Sequence, residues 1–218
     1  MTTPRRTVDS LIFDSLAVDA VRPLDLAGFW AALLGWQQHG PDVRPPDTDG
    51  CEFALAFVPE TTAKTHKNRL HLDLASRTLG HQREVVAEAL ALGARLVDLG
   101  QGDVPWAVLA DPQDNEFCVL EPRPEYADTG ALAALVVDSR GPIGLAGFWS
   151  ALIGWPVTST LPEITGVRSP SGRGPAIEFL LSSDAKHGRN RLRPVLRTSP
   201  GEPAEARDPE GNEYTRTP

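Results

Sequence analysis

Arg69, His71 and Asp73 alternate within the stretch Lys67-Asn68-Arg69-Leu70-His71-Leu72-Asp73-Leu74. In an extended strand such alternation places all three on one face. Leu70, Leu72 and Leu74 occupy the other face, which must pack beneath covering helices, so the charged triplet is expected on the concave side. A guanidinium, an imidazole and a carboxylate on one wall suit a small-molecule site. Asp73 could orient the imidazole, which could then accept a proton, making His71 and Asp73 the candidate catalytic pair. Glu116 and Cys118 share parity on a later strand and are expected to join this wall. Arg69 is the expected partner for an anionic or oxygen-rich ligand, with Phe13 and Trp106 as apolar walls. Plainer readings stand beside these. The Arg/His/Asp row could be a mutually paired or solvated face, and Cys118 a buried small hydrophobe. Trp30, Trp36, Trp149 and Trp155 read as core packing, and Arg191 and Arg193 as solvated surface more than as an anion site.

The elements that must position these residues come in duplicate. Leu26-Ala27-Gly28-Phe29-Trp30 returns as Leu145-Ala146-Gly147-Phe148-Trp149, Asn68-Arg69-Leu70 as Asn190-Arg191-Leu192, and Asp111-Pro112-Gln113-Asp114-Asn115-Glu116 as Asp208-Pro209-Glu210-Gly211-Asn212-Glu213. A repeat is one folding unit duplicated. The second copy is shorter by roughly 25 residues between its last two motifs. In the first copy the pattern predicts a strand at 11–19, a helix from Pro23 to Gly35, strands at 51–58 and 70–74, a helix at 80–93, and strands at 95–99, 106–110 and 116–120. Residues 122–129 are the linker. The second copy restarts with a strand at 132–138, a helix at 145–154, and strands at 176–181 and 191–196. Ser199-Pro200-Gly201-Glu202-Pro203 stands where the first copy has its second helix, and two prolines and a glycine exclude a helix interior there. The domains are therefore read as 1–122, complete, and 130–218, truncated.

Bulk composition narrows the setting. The 218 residues carry 21 Lys and Arg against 29 Asp and Glu, a net charge of −8. That balance argues against a nucleic-acid partner. No apolar run approaches a membrane span, and no secretory leader follows the basic N-terminus, so the cytoplasm is the expected compartment. The two cysteines, Cys51 and Cys118, form no CxxC pair and are expected as reduced thiols.

The paired strand–helix–strands plan, with Gly-Phe-Trp in the first helix, the 67–74 stretch and Asp111-Pro112 through Asn115-Glu116-Phe117-Cys118-Val119-Leu120, resembles the vicinal oxygen chelate superfamily. The nearest likeness is to its glyoxalase-like and bleomycin-resistance-like members. The resemblance covers the first copy throughout and the second at three motifs. It implies an α+β fold of tandem glyoxalase-like domains, each of paired βαβββ units, with mixed curved sheets and helices on the outer face. In the metal-dependent members that this chain resembles, inward side chains of the cup hold a divalent ion. The matching positions here are Phe13, His71 and Cys118, with Leu132, Arg193 and Thr215 in the second copy. Phe13 cannot ligate and the usual carboxylate is absent at Cys118, so no metal and no other cofactor are expected.

The reaction is less constrained than the fold, because the superfamily spans several reactions and non-catalytic binders. The first expectation is a metal-free protein that sequesters or modifies a natural product or toxic metabolite. The second is an enzyme of the same superfamily, with displaced metal ligands or with His71 as acid–base. The degenerate second copy could instead serve only to cover the first. Its missing helix leaves a surface in need of cover, from the first copy or from a second chain in a homodimer.

Overall fold

The computed structural model describes residues 11–198 and 204–218. Four units follow one another along the chain. The first is β1 (Ile12–Ala20), α1 (Pro23–Leu34), β2 (Gln37–His39), β3 (Asp42–Arg44) and β4 (Ala54–Pro59). The second is β5 (Leu70–Leu74), α2 (Leu79–Ala91), β6 (Arg95–Leu96), β7 (Ala107–Ala110) and β8 (Glu116–Val119). The third is β9 (Leu132–Ser139), α3 (Pro142–Ile153), β10 (Val157–Thr160), β11 (Ile164–Val167) and β12 (Ala176–Leu181). The last is β13 (Leu192–Arg197), β14 (Ala204–Arg207) and β15 (Glu213–Thr217). Between β13 and β15 no helix occurs among the described residues, and the segment 199–203 lies outside them.

These units assemble into two mixed sheets of an α+β fold. The eight-stranded sheet runs β10-β11-β12-β9-β5-β8-β7-β6, and the seven-stranded sheet runs β14-β15-β13-β1-β4-β3-β2. Each sheet therefore draws one unit from each copy of the repeat. The second and third units meet along β5–β9, with His71 opposite Val136. The first and fourth meet along β1–β13, with Ala17 opposite Arg193. The sequence reading gave each copy its own cup, whereas both cups are shared between copies.

Local chemistry explains the elements. Pro23 opens α1, where its missing N–H costs nothing, and Pro142 does the same for α3. Gly35 and Gly154 close those helices at φ 67° and 74°, a left-handed conformation that glycine adopts without a Cβ clash. Thr78 caps α2 through its side chain, which accepts from the His81 amide. The strands alternate as expected: Leu70, Leu72 and Leu74 are buried in the main core with Leu135, Phe117, Ile177 and Phe179. Burial in that core fixes which residues of β5, β8, β9 and β12 remain for the concave face. The hairpins β2–β3 and β10–β11 were not read from sequence. Every residue of β2 and β10 is exposed, so neither carries an apolar alternation to find.

The repeated motifs bond to one another. The Trp30 indole donates to Asp111 at 3.1 Å, and the Trp149 indole to Asp208 at 3.3 Å. Asn68 donates through its amide side chain to Asn115, and Asn190 to Asn212. The Asn68 and Asn190 backbones donate to Glu116 and Glu213, which also pair with Lys64 and Lys186. Burial pushes the Asp111 carboxyl up, although the Asn115, Gln113 and Trp30 donors favour its charged form. The recurring tryptophans and acids are thus structural joints, and Trp30, Trp36, Trp149 and Trp155 all lie in the core.

Candidate active site

The concave face of the eight-stranded sheet encloses a cavity of about 310 Å³. His71 and Asp73 reach it from β5, Glu116 and Cys118 from β8, and Glu178 from β12. Leu99, Trp106, Ile164 and Leu180 supply apolar wall. Arg123, from the linker, also lines it, with its guanidinium 5.6 Å from the centre of the Trp106 ring.

His71 Nε2 lies 3.4 Å from Asp73 Oδ1. Burial disfavours the charged imidazole, but the hydrogen bond and charge of Asp73 outweigh it, so the His71 pKa is raised. Burial, followed by the charge of Asp73, pushes the Cys118 thiol up, which keeps it protonated. Burial also pushes Glu178 up to about 7, with Asp73 adding to the effect, while the Tyr126 hydroxyl donates to it at 2.9 Å. A carboxyl that titrates near neutrality inside a cavity is a candidate acid–base group. Asp73 Oδ1 is buried and has no well-formed hydrogen bond.

The donor atoms of His71, Asp73 and Cys118 all lie within 4.8 Å of one another. One imidazole, one thiolate and one carboxylate suit zinc, and three protein ligands leave a position for a bound molecule. Asp73 Oδ1, whose contact to His71 is a long 3.4 Å, is the oxygen that such an ion would engage. The expectation of a metal-free cup counted only Phe13, His71 and Cys118 and missed Asp73 as a donor. It also chose the wrong opposing strand, because the strand facing β5 is β9, not β1. There Val136 stands opposite His71, and Val136 pairs with Glu178 of β12.

Two predicted site residues lie elsewhere. Phe13 belongs to the seven-stranded sheet and packs on the helix side, its ring 4.7 Å from Phe53. Arg69 precedes the start of β5, so strand parity does not govern it. Its guanidinium is buried at the junction of the two copies, donating to the Asp138 and Asp184 carbonyls, Asn212 and Glu210. Arg191 mirrors it, donating to the Asp19 and Thr62 carbonyls and, at 3.4 Å, to Asn115. Arg193 is buried rather than solvated and pairs with Asp19 at 2.7 Å. Glu116 lines the cavity but is engaged by Lys64 and the Asn68 amide. The sequence reading missed Glu178, Arg123 and Tyr126. Glu178 carries a usable signal, a lone charge between Ile177 and Phe179 in an otherwise apolar strand.

A family model described as a glyoxalase-like domain matches residues 15–120 and 134–208. The chain belongs to the glyoxalase-like domain family. Within that family's fold it is similar to glyoxalase I from Zea mays, with a TM-score of 0.63, 11% identity, and coverage of 95% of this chain and 92% of that one. A mutant of the same maize enzyme gives a TM-score of 0.64 at 12% identity, covering 95% and 93%. At these identities the likeness is one of fold. Among curated proteins, the carbamoyl phosphate synthase large chain of Neisseria gonorrhoeae is 23% identical over 159 residues. The chain spans only 14% of that protein's length, and nothing of its activity is carried over. The glyoxalase-like chain described here has no helix, among its described residues, long and apolar enough to cross a membrane.

Proposed function

We propose that this chain binds a small molecule in the cup of the eight-stranded sheet. The supporting observation is the convergence of His71, Asp73, Cys118 and Glu178 on one cavity whose wall is in part apolar, from Leu99, Trp106, Ile164 and Leu180. A ligand that fits carries hydrogen-bonding oxygens toward His71 and Glu178 and a ring or alkyl body against Trp106, Leu99 and Ile164. In this reading the cup is metal-free: burial pushes the Cys118 thiol up, and a thiol must lose its proton to ligate. His71 and Glu178 then donate or accept protons at the ligand's oxygens, and Asp73 raises the proton affinity of the imidazole. Sequestration and proton-transfer chemistry both use this arrangement.

The test is binding of a panel of small oxo- and hydroxy-substituted aromatics, followed by thermal shift on the intact chain. Trp106→Ala and His71→Ala should each weaken the best binder by roughly 1–3 kcal/mol. Unchanged affinity in both variants sinks the reading.

A second reading rests on the weakly bonded Asp73 oxygen and the clustered His71, Asp73 and Cys118 donors. Those residues would hold one divalent ion, which supplies polarisation of a ligand carbonyl or hydroxyl when bound. Elemental analysis of protein purified without chelator decides between the two. About one zinc per chain, lost on Asp73→Ala, favours the metal reading, and none on either protein favours the first.

A further inference from the structure

A larger cavity, about 640 Å³, is lined in part by the linker and shares Arg123 with the cup. Its walls are the end of α1, the end of β5, the first turns of α2 and the segment 122–131. Leu33, Leu34 and Val85 form its apolar part. Ser76 lines it, is 8% exposed, and its hydroxyl has no hydrogen-bond partner. A buried hydroxyl left unpaired is costly, and a ligand oxygen supplies the missing partner.

The charges around Ser76 define what that oxygen belongs to. Arg77 lines the cavity and makes no ion pair among the described residues. His81 accepts the Arg77 amide at Nδ1, which leaves its Nε2 as the protonated, donating nitrogen. The α2 N-terminus, capped by Thr78, adds a positive dipole end. Asp49 is the acid in this wall, and its oxygens are already taken by the Trp36 indole and the Cys51 and Ala131 amides. Arg123 is the remaining charged group, held by Glu121.

We propose that this crevice is a second ligand site, beside the cup, for an organic anion. The carboxylate or phosphate head sits on Ser76, Arg77 and the start of α2, and an apolar body lies on Leu33, Leu34 and Val85. The proposal does not depend on the reading of the cup.

The experiment titrates the ¹⁵N-labelled full chain with phenylacetate, phenyl phosphate, inorganic phosphate and neutral benzyl alcohol. Saturable shifts at the amides of Ser76, Arg77, Leu79 and Gly80 are expected for one or both aromatic anions, and which one saturates first names the head group. Inorganic phosphate should bind more weakly for want of the apolar body, and benzyl alcohol should not saturate. Ser76→Ala and Arg77→Gln should each weaken the aromatic anion by about five-fold or more. Arg77 is exposed, so its variant keeps the fold even where Ser76→Ala alters stability. Shifts centred on His71 and Cys118, absence of saturation by roughly 10 mM, or unchanged affinity in the Arg77→Gln chain would overturn the proposal.

Discussion

On the eight-stranded sheet the concave floor carries His71, Asp73, Cys118 and Glu178, and at the matching register of the seven-stranded sheet stand Arg193, Val195, Thr215 and Ala56. The backbone plan is the same. One floor holds titratable groups around an open cavity. The other carries small or apolar residues and a guanidinium bonded to Asp19 and to the Asn190 and Arg191 carbonyls. Asp138, which matches Asp19, is held instead by Lys67 at 2.7 Å. The difference teaches that chemistry in this fold is decided by side chains at a few register positions, while the motifs common to both halves do the joining.

Four measurements break or sharpen that contrast. The largest effect is expected from Asp19→Ala, which leaves Arg193 buried without its partner. Urea denaturation should show a loss of about 3–5 kcal/mol, mostly restored by adding Arg193→Leu. A neutral Asp19→Ala would mean that the seven-stranded cup is open after all.

The next effect concerns pH. Glu178 titrates near 7 when folded, so between its ordinary range and 7 the folded chain holds a proton that the unfolded chain has released. Stability therefore falls as pH rises through that window, by roughly 3 kcal/mol at most. His71, also raised, contributes stability present below the ordinary imidazole range and lost as pH climbs through its folded value. Denaturation curves for Glu178→Gln should be flatter between about pH 4.5 and 7, and an unchanged slope removes Glu178 as an acid–base candidate.

A third comparison sets Arg69→Ala against Arg191→Ala. Both should cost about 1.5–3 kcal/mol of stability, because both tie the copies together. A change in ligand affinity with no change in stability for Arg69→Ala would return that residue to the binding site.

The smallest effect lies at the helix starts. Gln113 accepts the Val21 and Arg22 amides ahead of α1, and Glu210 accepts the Arg140 and Gly141 amides ahead of α3. Gln113→Ala should cost about 0.5–1 kcal/mol in thermal melts. Glu210→Ala should cost more, since its carboxylate is charged and also holds Arg69.

Much of this fold was legible from residue order. The strand 70–74 and the α1 and α3 helices with their Pro and Gly ends follow from local pattern. His71, Asp73, Glu116 and Cys118 line the cup as strand parity predicts, and Trp106, expected as an apolar wall, lines it from the bend before β7. Glu178 was not legible in the same way, since it reaches the cup only through the pairing of β9 with β5, more than 60 residues away in sequence. Arg69 misled because its motif recurs in both copies, and what both copies share is the joint.

The pairing of the outermost units has a consequence for synthesis. The eight-stranded sheet is built from consecutive units and can assemble as soon as β12 has left the ribosome, with the second and third units side by side. β1 precedes all of these strands in the chain, yet its antiparallel partner is β13, with Ile12 facing Arg197. Such a non-local pairing is intrinsically slow to form. Until β13 is made, that edge of β1 is a bare row of amides and carbonyls, available to any neighbouring nascent chain. The strand that protects β1 is thus made long after it.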